Sequence, residues 1–149
     1  MRNLLITAFG EPNATSVEKN KYGYVVAYIG ELGGNVPYTA YNARKSYIEN
    51  NKDIIEKFSR AINKGLEYVK NHSAKEIAEK VISFFPETSL SDMETIVNRY
   101  KTNGAWKENI TIMEDEWLHI EEIMEASGEL TNKVPYEKLI YKEFFNQYE

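Results

Sequence analysis

The chain has 149 residues, 42% of them hydrophobic and 28% charged, enough for one ordinary globular domain with its own core. A net charge of -5 and a pI near 5.2 argue against a general nucleic-acid binder, which needs clustered Lys and Arg to neutralise phosphates. The lack of cysteine excludes disulfide scaffolds, thiol nucleophiles and cysteine zinc sites.

In chain order, Leu4 to Phe9 is a short apolar run ended by Gly10 and Pro12, the pattern of a buried strand feeding a turn. Asn13 to Asn20 is spaced as a short helix, and Tyr24 to Ile29, rich in β-branched and aromatic residues and closed by Gly30, reads as a second strand. Together they predict a strand-helix-strand unit with a parallel crossover. Gly30 to Pro37 is flexible and then stiff, which suits a hinge or crossing segment and equally a surface loop leading to an edge strand. Tyr38 to Ala43 reads as extended.

From Ser46 the period becomes helical. Ile54, Ile55, Phe58, Ala61, Ile62, Gly65, Leu66 and Val69 share one face of a helix of about five turns. Ser73-Ala-Lys-Glu76 is a capping box opening a helix with Ile77, Val81 and Ile82 inward, stopped near Phe85-Pro86. Ser91-Asp-Met-Glu94 repeats the device for a helix carrying Met93, Ile96, Val97 and Tyr100. Another carries Met113, Trp117, Ile120, Ile123 and Met124 to Ser127-Gly128, and a last short one after Pro135 carries Leu139, Ile140, Phe144 and Phe145.

Signals for catalysis are thin. His72 and His119 are far apart in sequence and read as surface or interface histidines. The carboxylates of Glu114-Asp-Glu116 and Glu121-Glu122 suit the dipole of a helix N-terminal half better than a metal site. No Gly-rich phosphate loop, HExxH or GxSxG is present. Neither catalytic residues nor a cofactor is expected. The aromatics carry more information: with 11 tyrosines in all, Phe9, Tyr22, Tyr24, Tyr28, Tyr38, Tyr41 and Tyr47 crowd the first third beside turns. They suit a pocket for a small flat ligand and equally the packing of a small domain. Glu11, between Gly10 and Pro12 after the first apolar run, stands where ligands bind beyond a strand's carboxyl end, the plain alternative being a solvated turn acid.

Phe9-Gly-Glu-Pro12, Gly23-Tyr-Val-Val-Ala27, Val36-Pro-Tyr-Thr39, the run from Ala43 to Phe58, Trp106, Glu116-Trp-Leu118, Met124 to Leu130 and Val134-Pro-Tyr136 resemble, in this order, the substrate-binding proteins of ABC importers. The similarity is to the group handling thiamine-pyrimidine precursors, alkanesulfonates, nitrate and taurine, and it runs from about Thr7 to Glu149. It implies an α/β, periplasmic-binding-protein-like (type II) partial fold, with short parallel sheet elements followed by a mainly helical part. Residues 1–43 would end the second lobe and supply the hinge crossing, and residues 44–149 would complete the first lobe. The function implied is binding of a small organic solute, pyrimidine-type or sulfonate-like, without turnover. Glu11 and Tyr38 would face the ligand, followed by Phe9 and Asn42.

The family's first half, its signal peptide and its lipid-anchored cysteine have no counterpart here, and Met1 to Ile6 does not resemble a family start. The expectation is a C-terminal half that works outside the cytoplasm with an ABC permease. It would form a homodimer or pair with the missing N-terminal half. A helical interaction or dimerisation module without a small-molecule site is the alternative. Enzymes resembling this group, the fungal pyrimidine synthases, rely on a cysteine-rich motif that is lacking.

Overall fold

In the computed structural model, residues 6–144 are described. The regular elements are α1 (Asn13–Lys19), α2 (Ile29–Gly33), α3 (Lys45–Asn50), α4 (Lys52–Asn71), α5 (Ala74–Val81), a 3-10 turn (Ile82–Phe84), α6 (Leu90–Thr102), α7 (Glu114–Ala126) and α8 (Tyr136–Leu139). No strand occurs among the described residues, which overturns the expected α/β fold with parallel sheet elements. The physical reason lies in the second strand expected, Tyr24 to Ile29. A strand is stable only with a neighbour accepting and donating along its edge, and the Val25 amide instead donates to the Glu18 carboxylate at 2.9 Å. Tyr24 and Val26 stay exposed, and Ile29 begins α2. Of the first strand expected, Leu4 and Leu5 lie outside the described residues, while Ile6 to Phe9 has no regular structure and is exposed.

The chain divides into two compact units, each built from two stretches. The first joins residues 6–29 to His72–Trp106. Its core lies between α5 and α6, where Ile77, Ala78, Met93, Ile96 and Val97 are buried. Each large apolar side chain there contributes about 1.5–3 kcal/mol relative to exposure. α5 starts at the expected capping box: Ser73 Oγ accepts from the Glu76 amide at 3.2 Å and Glu76 accepts from the Ser73 amide at 2.8 Å. The cap of α6 lies two residues before the serine expected, because Ser89 Oγ takes the Asp92 amide at 3.1 Å. One turn of helix thereby gains its cap, and Ser91 sits inside the helix, its carbonyl accepting from the Thr95 hydroxyl.

The second unit joins Gly30–Asn71 to residues 107–144. Asn51 separates α3 from α4: its backbone leaves helical geometry, its carbonyl accepts from the Ile54 and Ile55 amides, and its side chain donates to the Tyr47 carbonyl. Ion pairs Lys52–Glu143 at 2.9 Å and Lys70–Glu108 at 2.7 Å tie both ends of α4 to the 107–144 stretch. Trp117 on α7 donates its indole N–H to the Val134 carbonyl at 3.1 Å, and Glu121 accepts from the Val134 amide at 2.7 Å. α7 ends at Ser127-Gly128 as its sequence predicts, with Gly128 at φ +81. The last helix expected shrinks to α8, and Phe145 lies outside the described residues.

Candidate functional site

In the first unit the candidate site grows from Arg99, in the last half of α6. Its guanidinium reaches across to α1 and bridges two carboxylates. One terminal nitrogen pairs with Glu11, and the other donates to Glu18 at 2.5 Å. Glu11 is nearly enclosed, with 4% of its side chain exposed, against 23% for Arg99. The second Glu11 oxygen accepts from the Thr15 amide at 3.0 Å, satisfying an otherwise orphan N–H in the first turn of α1. Glu18 does double duty as well, one oxygen on Arg99 and the other on the Val25 amide.

The electrostatics follow from this geometry. The Val25 N–H, then Arg99, hold the Glu18 carboxyl below its ordinary value. Burial alone would lower the Arg99 guanidinium, but Glu18 and Glu11 outweigh it and raise it. Chemically the triad is a staple. It fixes α1 against α6 and ties Val25 to α1, and Phe9, Tyr22 and Tyr24 remain solvent-facing rings.

In the second unit Tyr38 is 89% exposed, and Tyr41 is open as well although its ring meets Phe58 edge-on at 4.9 Å. Asn42 is exposed one residue further. The turn leading into this run is held from α7, where His119 Nε2 lies 2.8 Å from the Gly33 carbonyl. Of the residues expected to face a ligand, Phe9 and Glu11 therefore belong to the first unit, and Tyr38 and Asn42 to the second. Phe9, Tyr38 and Asn42 are open to solvent, whereas the Glu11 carboxylate is occupied by Arg99 and Thr15.

Arg99 and Glu18 were not singled out by sequence reasoning. The pairs they make join residues 88 and 81 positions apart, and no local pattern reports that. His119 reads from the sequence only as a surface or interface histidine, and its partner Gly33 lies 86 positions away. Among the described residues no group of three or more His, Cys, Asp or Glu is placed to hold a metal ion. No described helix is long and apolar enough to cross a membrane.

No family model matches the chain, and no solved structure matches it. Over 133 residues it is 40% identical to a Bacillus subtilis (strain 168) protein named "Putative binding protein YtlA". That match takes in 89% of this chain but 40% of the other protein, so the chain spans well under half the length of this relative. The chain is thus similar to a protein named for binding, with no solute specified by the comparison.

Proposed function

We propose that the chain belongs to the solute-binding component of an ABC importer and contributes aromatic contacts to a small organic nutrient, of pyrimidine-precursor or sulfonate type, without turnover. The observation that carries this reading is the set of solvent-facing rings beside fixed turns: Phe9, Tyr22 and Tyr24 in one unit, Tyr38 and Tyr41 in the other. A rigid tyrosine offers stacking area and a hydroxyl for polar groups at low conformational cost. The 40% identity to a protein named for binding supports the same reading, as does the order of motifs shared with such binders. An ABC permease as partner and a place outside the cytoplasm follow from this proposal.

Thermal unfolding with a panel of pyrimidine precursors, sulfonates and nitrate tests it. A ligand present at 100 times its Kd stabilises by about 2.7 kcal/mol, which is roughly 5–10 °C for a chain of this size. One solute class should raise Tm by that order and lose most of the effect in Tyr38→Ala. No shift from any member at millimolar concentration overturns the reading.

A second reading, a helical dimerisation module, is favoured by the exposed apolar side chains Val26, Leu32 and Phe84. It expects a homodimer by light scattering at micromolar concentration, and a monodisperse monomer contradicts it.

A further inference from the structure

A carbonyl oxygen has no hydrogen to donate, so the 2.8 Å contact between His119 Nε2 and the Gly33 carbonyl is a hydrogen bond only when Nε2 carries the proton. Neutral His119 is then the Nε2–H tautomer, with Nδ1 standing 3.9 Å from the Glu122 carboxylate one turn along α7. The residue after the gripped carbonyl is Gly34, at φ +71, a conformation that side chains with a Cβ rarely adopt. A Cβ there would also lie 3.3 Å from His119 Nε2. Two independent demands, backbone angle and closeness to the imidazole, therefore meet at this glycine. Four residues on, the Tyr38 amide donates to the Val36 carbonyl at 2.9 Å, closing a three-residue turn over Pro37, whose ring fixes φ.

We propose that His119 is a positioning residue for solute binding: from α7 it clamps the Gly33-Gly34 turn and thereby sets the direction in which Val36-Pro37-Tyr38 presents the tyrosine ring. The inference rests on the reading that Tyr38 faces the solute, and it makes α7 a determinant of affinity although His119 need not touch the ligand. An unclamped turn samples several directions, and apparent affinity falls with the fraction that remains competent.

The test uses the full chain with His119→Ala, His119→Gln and Tyr38→Ala. Nitrogen NMR shifts of the imidazole read the tautomer, amide exchange at Gly34 to Tyr38 reads the turn, and thermal shift with the same solute panel reads binding. Expected are a protonated Nε2 at neutral pH and about fivefold faster Tyr38 exchange in His119→Ala, the loss of one ordinary hydrogen bond. A matching fall in solute affinity is expected, with recovery in His119→Gln, whose amide also donates. The Nδ1–H tautomer, or unchanged exchange in His119→Ala, overturns the clamp. Unchanged exchange with binding lost in Tyr38→Ala overturns the clamp and leaves the solute reading standing. Faster exchange with binding unaffected by Tyr38→Ala overturns the solute reading and leaves the clamp.

Discussion

Replacing Arg99 with methionine removes the guanidinium and keeps most of the stem's apolar packing, so the change isolates the charge bridge. Glu11, 4% exposed beside Arg99 in the unaltered chain, is then left with only the Thr15 amide as partner. Glu18 keeps the Val25 amide but loses its cation. Breaking a fully buried pair typically costs about 3–5 kcal/mol. Arg99 is 23% and Glu18 31% exposed, so water restores part of the loss, and about 2–3 kcal/mol is expected. Urea unfolding measures it, with midpoints compared at equal m values. The double variant Arg99→Met with Glu11→Gln should recover a good part of the loss, because the stranded charge is gone. A cost below about 0.5 kcal/mol, in the range of an exposed pair, would refute the reasoning.

Acid should act through the same contacts. Glu18 is held below its ordinary 4.5 by the Val25 N–H and Arg99, and Asp92 below its ordinary 3.8 by Lys19 and the Ser89 hydroxyl. A carboxyl lowered on folding contributes stability that is present above its unfolded value and lost as pH falls through the folded one. Urea midpoints should therefore drop below about pH 4.5, less steeply in Arg99→Met, and parallel pH profiles for the two proteins would contradict this. Ser89→Ala should destabilise by about 1 kcal/mol as an N-cap loss, whereas Ser91→Ala should be near neutral; the reverse order would return the cap to Ser91. Asn63 on α4 is buried with its Oδ1 unpartnered, so Asn63→Leu should stabilise by about 1 kcal/mol. A loss of that size would mean the amide oxygen has a partner.

What the sequence made legible were the features with local causes. The α4 stripe from Ile54 to Val69 recurs at helical spacing within one element, the Ser73–Glu76 box closes over three residues, and Ser127-Gly128 ends α7. Tyr24 to Ile29 misled for the complementary reason. Its β-branched and aromatic residues favour an extended backbone, yet a strand needs a second backbone alongside, and Val25 finds the Glu18 carboxylate instead. Glu11 stood out in the sequence as a ligand-facing carboxylate after an apolar run, but its partner was hidden, since Arg99 lies 88 positions away. The His119 contact with Gly33 spans 86 positions and was equally hidden. The exposed state of Tyr38 was consistent with its place after Pro37, while its tether to Val36 required the structure.

Native mass spectrometry of the purified chain with the panel of pyrimidine precursors, sulfonates and nitrate tests the central claim most directly. The account predicts a retained adduct of one solute class, present in the unaltered chain and diminished in Tyr38→Ala. A clean spectrum with no adduct from any solute at millimolar concentration would contradict it.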